Sequence, residues 1–372
     1  MKFEVNAQGM AKALKTVSAV IPSRPVMAAA AGILLETQDT GADGWVIRVT
    51  ATNTELEIST SVPAEAVAEE GTALLDGKRL AQAFLSLPNK TAKVEVTSAN
   101  ATIRCGASRF TLAQIAAKFP EKKELGGETT EAHVHAADLL GLIETVKYAI
   151  AQTDTRLVLT GMKMELRPNR INAIALDGYR MGVAKTGAEC GNEADVVIPG
   201  NSVSLIASVC KNAPDADVEI RTDGKALSID TDGTHVHTVL LAGAFINYRD
   251  IIPTDYQTSI RFGRADMQDV LRRASIVGNK NNLVRVTIAD GSVVIESNDD
   301  SDSFREEIAV QKTGEDLQTA YNARYLSDAL GAVAGDELQL DLSGATKPGV
   351  LKPVGTGKEL HIVLPVRIVS GA

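Results

Sequence analysis

Residues 1–20, MKFEVNAQGMAKALKTVSAV, predict a short strand that leads directly into an amphipathic helix. The same pattern returns twice, as EAHVHAADLLGLIETVKYAI at residues 131–150 and as TSIRFGRADMQDVLRRASIV at residues 258–277. The three copies start roughly 130 residues apart, which is the size of a domain rather than of a solenoid repeat. Polar linkers at residues 121–130 and 253–257 separate them. The predicted domains are residues 1–128, 129–255 and 256–372.

Each repeat contains a second amphipathic helix, followed by a segment in which polar and apolar residues alternate. The second helices are GKRLAQAFLSL from Gly77, GNSVSLIASVCKN from Gly200 and NARYLSDALGAVA from Asn322. The alternating segments that follow are AKVEVTS, ADVEIRT and DELQLDLS, and this alternation indicates strands with one buried face. Each repeat therefore predicts an α+β domain in which two helices cover two antiparallel sheets.

The predicted helices are basic, although the whole chain is acidic. The formal net charge of the chain is −9, which by itself argues against nucleic-acid binding. The helices contain ten Lys and Arg residues but five Asp and Glu residues. Two explanations stay open: the helices line an electropositive cavity, or they contain Lys and Arg because these residues favour helices. The predicted helices are residues 8–19, 77–87, 137–150, 200–212, 264–277 and 322–334.

The sequence contains no pattern typical of an enzyme, a metal centre or a membrane protein. Its three cysteines lack metal-ligand spacing, which favours reduced thiols in a cytoplasmic protein. No long apolar run predicts a membrane span or a secretory signal. The pairs His133/His135 and His235/His237 each place two imidazoles on one strand face, but no further ligand completes a site, so we expect exposed strand histidines. We therefore expect no catalytic residue, no metal and no cofactor.

Three motifs occur in a fixed order along the chain. It opens with Met-Lys-Phe, a basic helix and the turn Ser23-Arg24-Pro25. In the middle, Leu159-Thr-Gly161 precedes Leu176-Asp-Gly-Tyr-Arg180, and Ile362-Val-Leu-Pro-Val-Arg-Ile368 stands near the end. Together these motifs resemble those of the bacterial DNA polymerase III beta-subunit family, the sliding clamps. The resemblance covers essentially the whole chain, with matching lengths between the motifs.

Some positions depart from the family pattern. Phe245-Ile-Asn-Tyr-Arg249 stands where the family usually has Phe-Pro-Asp-Tyr-Arg. A frequently aromatic position is occupied by Asn281 or Asn282, residues 28–31 lack the usual Pro-Ile-Leu, and residues 369–372 extend beyond the usual end. These departures leave the preferred partner peptide open, and the sequence does not indicate which polymerase, loader or repair protein binds.

The resemblance implies a ring-forming, non-enzymatic protein of the cytoplasm. Two chains, each with three clamp domains, would join head to tail in a homodimer with pseudo-sixfold symmetry. The ring would encircle duplex DNA without sequence preference and tether polymerase, clamp-loader and repair proteins through short linear peptides. The alternative is a DNA-independent protein-binding scaffold, or a clamp decoy, with the same fold. The residues expected to contact DNA are Arg24, Lys12, Lys15, Lys78, Arg79, Arg272 and Arg273.

The resemblance also implies a partner-peptide cleft between the second and third domains. Apolar side chains there would accept apolar anchors, and Arg180 and Arg367 would hold polar ends of the peptide. Gly161 and Gly178 would leave room for the backbone of the guest. Ordinary core packing is the competing interpretation for most of these residues. The expected cleft residues are Leu159, Thr160, Gly161, Leu176, Gly178, Tyr179, Arg180, Met181, Ile246, Ile251, Pro348, Val363, Leu364, Pro365, Val366 and Arg367.

Ring closure would use the first and third domains, because only the terminal domains of a three-repeat chain lack a neighbour. Phe110 and Leu112 alternate on a predicted strand and therefore share one face. We expect them to contact Ile276 and Val277 of the partner chain. The competing interpretation is that both pairs belong to internal cores.

Overall fold

The computed structural model of the chain describes residues 1–277 and 282–367. Within residues 1–128 it contains α1 (Ala7–Ser18), α2 (Gly77–Leu85), β1 (Lys2–Asn6), β2 (Gly32–Asp39), β3 (Trp45–Thr52), β4 (Leu56–Glu69), β5 (Thr72–Asp76), β6 (Thr91–Val96), β7 (Asn100–Cys105) and β8 (Ser108–Ala113). Within residues 129–255 it contains α3 (Ala136–Val146), α4 (Gly200–Asn212), β9 (Thr130–His135), β10 (Gly161–Arg167), β11 (Arg170–Leu176), β12 (Arg180–Gly187), β13 (Glu189–Cys190), β14 (Ala194–Pro199), β15 (Asp217–Thr222), β16 (Ala226–Thr231) and β17 (Thr234–Val239). Beyond these, it contains α5 (Arg264–Ala274), α6 (Ala323–Ala332), β18 (Thr258–Gly263), β19 (Leu283–Ala289), β20 (Ser292–Asn298), β21 (Ser303–Ala309), β22 (Gln311–Gly314), β23 (Leu317–Asn322), β24 (Glu337–Leu342), β25 (Gly349–Pro353) and β26 (Glu359–Val363).

All six predicted helices are confirmed, and polar residues at strand ends explain where several begin. The side chain of Asn6 accepts a hydrogen bond from the backbone of Gly9 at 2.9 Å, and Asp76 accepts one from Arg79 at 2.8 Å. Asn322 caps α6 in the same way. Such N-caps satisfy amide groups that the first helical turn leaves unpaired, so a strand can pass directly into a helix.

Four helices, α2, α3, α5 and α6, are shorter than the sequence pattern predicts, and in α3 and α5 the last turn tightens. α3 ends at Val146 and α5 ends at Ala274, and a 3₁₀ helix follows each of them. Such tightening is common at helix ends. The 3₁₀ helices are Ala28–Ala31, Gly41–Asp43, Lys147–Ala149, Leu157–Thr160, Tyr248–Ile251 and Ser275–Val277.

The chain divides into two compact units. The first unit comprises residues 1–137 and 204–240. Its sheet has the strand order β9-β15-β16-β17-β4-β1-β6-β7-β8, and β3, β2 and β5 continue from β4. The long strand β4 pairs with β3 and β17 along its first half and with β1 along its second half. Strands of the second repeat therefore join those of the first repeat edge to edge.

The second unit comprises residues 138–203 and the chain from Leu241 onwards. It contains a nine-stranded sheet in the order β14-β10-β11-β12-β26-β25-β24-β18-β22 and a four-stranded sheet in the order β21-β20-β19-β23. The antiparallel pair β12 and β26 joins the second and third repeats, with Arg180 opposite Val363 and Met181 opposite Ile362. Each repeat thus contributes two groups of antiparallel strands and two helices, as predicted.

The cores are mainly aliphatic, as the 4% aromatic content requires. In the first repeat, Met10, Leu14 and Val17 of α1 are fully buried, and α1 packs beside α2. In the third repeat, α5 and α6 pack together over one core in which Tyr321 is the largest side chain. Within the described ranges, no helix is both long and apolar enough to cross a bilayer.

Candidate functional site

Basic side chains project from the exposed faces of α1 and α2. Lys12 and Lys15 lie on the side of α1 opposite its buried stripe, and Lys78 and Arg79 lie in the first turn of α2. Among residues 1–277 and 282–367, no carboxylate forms an ion pair with any of these four side chains. Arg24 is exposed in the loop after α1. These five residues therefore keep their full charge for an external anion.

The two arginines predicted at the end of α5 are instead paired within the chain. Arg273 donates hydrogen bonds to both carboxylate oxygens of Glu306 on β21, at 2.8 and 2.6 Å. These hydrogen bonds lower the pKa of Glu306. Arg272 lies 3.1 Å from Asp269, one turn earlier on the same helix. Contact of these two residues with DNA would therefore compete with an internal carboxylate.

The turn between β11 and β12 is held by its own aspartate. Asp177 accepts hydrogen bonds from the backbone of Tyr179 at 2.9 Å and of Arg180 at 3.0 Å. Gly178 between them has a φ of 87°, a left-handed conformation that glycine adopts without strain. The backbone of Leu364 donates to the carbonyl of Tyr179 at 2.8 Å. The segment after β26 is thereby fixed to this turn.

Arg180 is built into the fold rather than left open to a guest. Its guanidinium donates to Asp177 at 3.0 Å and to Asp328 of α6. It also lies over the rings of Tyr148 and Tyr325, at 5.3 and 4.8 Å from the ring centroids. Its side chain is only 11% exposed. Arg180 thus connects β12 with α6, a role that the sequence did not predict.

Tyr148 extends this polar cluster towards the last strand. Its hydroxyl donates to the carbonyl of Met181 at 3.1 Å and lies 3.0 Å from Nδ1 of His361. Burial lowers the pKa of His361 to about 3, so its ring is neutral at pH 7. Tyr148 and His361 therefore form a neutral hydrogen-bonded extension of the charged cluster around Arg180.

The predicted apolar pocket is a filled core with an exposed rim. Leu159, Leu176 and Met181 are nearly fully buried in one cluster, with Ile246 and Ile251 packed at its edge. A guest side chain would reach this cluster only after some of these residues move. The partly or fully exposed rim consists of Thr160, Tyr179, Pro348, Leu364, Pro365, Val366 and Arg367.

Two residues of the predicted cleft are packed inside the fold. Val363 belongs to the core of the third repeat, and Ile362 takes its place beside Leu159. The cause is the period-two alternation of β26, which points adjacent residues to opposite faces. Gly161 does not open space for a guest, because a Cβ there would lie 2.5 Å from the carbonyl oxygen of Ile198. Its missing side chain instead lets β10 and β14 approach closely.

A buried carboxylate missed in the sequence fixes the connection into the third repeat. Glu165 on β10 is fully buried and accepts hydrogen bonds from Asn172 at 3.0 Å, Arg249 at 2.8 Å and Tyr248 at 3.3 Å. Lys163 forms an ion pair with it at 3.0 Å. This network holds the 3₁₀ helix Tyr248–Ile251, which ends at a cleft residue. The Tyr-Arg dipeptide was a family motif, but nothing local in the sequence indicated Glu165 as its partner.

The four residues predicted at the dimer interface are all at least partly exposed. Phe110 and Leu112 lie on one face of β8, which is the last strand of its sheet. Ile276 is 80% exposed in the 3₁₀ helix after α5, and Val277 is half-buried next to it. Asn281 and residues 369–372, which depart from the family pattern, lie outside the described residues; Asn282 is exposed.

The histidine pairs differ from each other. His133 and His135 are exposed on β9, as expected. His235 is half-buried and His237 is buried on β17, so the expectation of exposure is wrong for the second pair. The reason is that the linker after β8 lies over this face of β17, where Lys122 and Lys123 line the same cavity as the two histidines. All three cysteines are free thiols.

Comparison with known proteins assigns the family. Three family models match the chain consecutively: the N-terminal domain of the DNA polymerase III beta subunit at residues 1–121, its central domain at 133–247 and its C-terminal domain at 249–367. The beta sliding clamp of Pseudomonas putida is 27% identical over 374 residues, covering 99% of this chain and 100% of the relative. That of Vibrio cholerae is 26% identical with the same coverage.

Solved structures give the same fold. A sliding clamp from Pseudomonas aeruginosa bound to griselimycin has a TM-score of 0.93 at 24% identity, and the DNA polymerase III beta subunit of Thermotoga maritima has a TM-score of 0.92 at 23% identity. Each comparison covers 99% of this chain and 100% of the other. The fold and the order of its domains are those of a sliding clamp. The chain belongs to the DNA polymerase III beta-subunit family and functions as a DNA sliding clamp.

Proposed function

We propose that two copies of this chain close head to tail into a ring around duplex DNA. The ring holds polymerase, clamp-loader and repair proteins on DNA, acts in the cytoplasm and catalyses no reaction itself. A topological link needs no tight bond to DNA, since weak sequence-independent phosphate contacts let the ring slide. The observation that carries this proposal is the set of uncompensated cations on α1 and α2 in a chain with a net charge of −9.

The DNA-facing surface centres on Lys12, Lys15, Lys78 and Arg79, with Arg24 beside them. Arg272 and Arg273 contribute less, because Asp269 and Glu306 already neutralise them. Changing Lys12 and Lys15 to Glu should shorten DNA residence at low salt, and the difference should shrink as salt screens the charges. Unchanged residence at every salt concentration would remove α1 from the DNA-facing surface.

The partner cleft is the apolar cluster beneath the rim. Its Leu, Ile and Met side chains suit the apolar anchors of a short peptide, and Arg367 on the rim suits a polar end. Opening the cleft requires the rim segment after β26 to move. Calorimetric titration with a peptide of the family's Gln-x-x-Leu-x-Phe type tests this site. Ile246 stands at the wall of the cleft where the family has Pro, so the peptide sequence that this chain prefers should differ from that of the family.

Closure of the ring uses the free sheet edges of the first and third repeats. Among the described residues, β8 and β21 are each the last strand of a sheet and leave one backbone edge open for pairing. Arg104 and Arg109 are exposed near the first edge. On the second, Glu307 is exposed, and the neighbouring Arg305 lies 3.5 Å from Glu296. These opposite charges favour pairing of the first-repeat edge of one copy with the third-repeat edge of the other copy, rather than pairing of two identical edges.

A further inference from the structure

A cavity of about 310 Å³ lies in the first unit, outside the surfaces described above. Its floor is the outer face of β15, β16 and β17, and its cover is the linker after β8. The linker is fixed at two points: Lys123 Nζ donates to the carbonyl of Thr54, and the backbone of Gly126 donates to Asp223 at 2.9 Å. Its lining includes the side chains of Lys122, Lys123, Arg221, Ser228, His235 and His237.

Strand register brings three of the floor residues into one row. Ser228 on β16 lies opposite Arg221 on β15 and opposite His237 on β17. Residues opposite each other in antiparallel strands point to the same face, so their polar groups converge. His235 lies two residues before His237 and joins the same face.

Two floor residues are buried without a protein partner. Ser228 is 2% exposed, and its hydroxyl has no hydrogen-bond partner in the part of the chain that the structure describes. His237 is equally buried, and no described residue forms a hydrogen bond with its ring. Buried polar groups are nearly always hydrogen-bonded, and an unsatisfied one is expensive. Both groups line the cavity and would gain a partner from a ligand there.

The charge of the lining identifies the kind of ligand. Lys122 and Lys123 of the linker are the cations that face the cavity, and Lys122 lies 3.9 Å from Glu124, the one carboxylate among the lining residues that the structure describes. Arg221 is already paired with Asp230 at 2.9 Å, and burial raises the pKa of Glu57, which lies opposite His237 on β4. Burial lowers the pKa of His237, so at pH 7 its neutral ring still offers one N–H donor. A hydroxyl, an imidazole N–H and ammonium groups together are the donors typical of phosphate sites.

We propose that this cavity binds a small phosphate anion of the size of phosphate or pyrophosphate. Lys122 and Lys123 supply the charge from the linker, and Ser228 and His237 donate hydrogen bonds from the sheet. The anion would then tie the linker to β16 and β17. This site is independent of DNA encirclement and of peptide binding, so its failure would leave the clamp function intact.

Calorimetric titration of the full chain with sodium phosphate and with sodium pyrophosphate tests the proposal. We expect saturable binding that weakens by about tenfold or more in Lys122→Ala, because a charge-assisted contact is lost. Ser228→Val, which fills the floor, should have a similar effect. Lys118→Ala is the matched control: it removes the same charge from the same linker outside the cavity, and its affinity should stay within about twofold of the original chain.

Thermal unfolding of each variant shows whether it is folded. If Ser228→Val does not fold, Lys122→Ala still tests the proposal, because Lys122 lies on the exposed linker. The absence of saturable binding of either anion overturns the proposal. Equal affinity in Lys122→Ala and Lys118→Ala overturns it as well, because the anion would then bind elsewhere. A third titration uses a single-stranded oligonucleotide. If only the oligonucleotide binds, and Lys122→Ala abolishes this binding, the ligand of the cavity is nucleic acid and the proposal of a small anion is overturned.

Discussion

Glu165 is a buried carboxylate surrounded by two cations and two neutral hydrogen-bond donors. Desolvation raises its pKa, but hydrogen bonds from Asn172, Lys163 and Arg249 outweigh this effect and lower the pKa to about 2. A carboxylate with a depressed pKa stabilises the fold only while it is ionised. The ordinary value is 4.5, so this stabilisation is complete above pH 4.5 and is lost as the pH falls towards 2.

Replacing Glu165 by Gln should therefore change both stability and its pH dependence. At pH 7 the free energy of unfolding should fall by about 3 kcal/mol, since the buried ion pairs lose their anion. Between pH 4.5 and 2.5 the variant should lose less stability than the original chain. Urea unfolding across this pH range is the measurement. Parallel pH profiles for both proteins would show that Glu165 does not hold the connection into the third repeat.

Arg180 and Arg367 should respond differently to substitution. Arg367 is exposed, so Arg367→Ala should weaken peptide binding by about tenfold without changing the unfolding midpoint. Arg180→Ala should lower the free energy of unfolding by about 2 kcal/mol, because it leaves Asp177 and Asp328 without their cation. Peptide titration and urea unfolding of both variants check this. A peptide effect for Arg180 with unchanged stability would restore it as a direct ligand of the peptide.

At the scale of single elements, Gly161 sets how closely β10 approaches β14. Gly161→Ala would place a Cβ against the carbonyl of Ile198 and the side chain of Leu241, so we expect a loss of about 3 kcal/mol in unfolding free energy. Gly187→Ala is the control, since a Cβ at that position of β12 meets open space. Equal unfolding midpoints for the two variants would mean that the strands tolerate a wider spacing.

The interface residues proposed in the third repeat predict how the dimer responds to charge. Asp at Ile276 and Val277 should leave a folded monomer, because burying two carboxylates in an apolar contact is unfavourable. Leu157→Asp is the control, since Leu157 is also an exposed apolar residue but lies outside the proposed interface. Sedimentation velocity measures both. A dimer in the Ile276 and Val277 variant, at the concentration where the control is dimeric, would contradict the assignment.

The elements were predictable from sequence to different degrees. Local patterns predicted the helices well, because stripes such as Met10, Leu14 and Val17 and caps such as Asn6 depend on neighbouring residues. The partners of Arg180 were not predictable, since Asp328 and Tyr325 lie far along the chain and no local pattern connects them. Val363 shares its face of β26 with Glu359 and His361, whereas Leu360 and Ile362 lie on the other face, and alternation alone did not identify which face is the cleft side.

At the scale of the whole molecule, strands of neighbouring repeats pair within each of the two compact units. β17 pairs with β4, and β12 pairs with β26. The repeats and their period were visible in the sequence, but which edges would meet was not, because strand pairing over long separations is set by the packed fold. The domain boundaries at residues 128 and 255 stay a prediction.

Topology separates a sliding clamp from a DNA-independent scaffold of the same fold. In the decisive measurement, the chain is incubated with nicked circular DNA and a clamp loader. Gel filtration then shows whether the chain elutes with the DNA, before and after a restriction enzyme linearises the circle. The account predicts that the chain elutes with the circle and is released once the DNA has ends, because weak phosphate contacts alone do not hold a ring on a linear duplex. Retention that survives linearisation, or no retention where a control clamp is retained, would contradict encirclement of DNA.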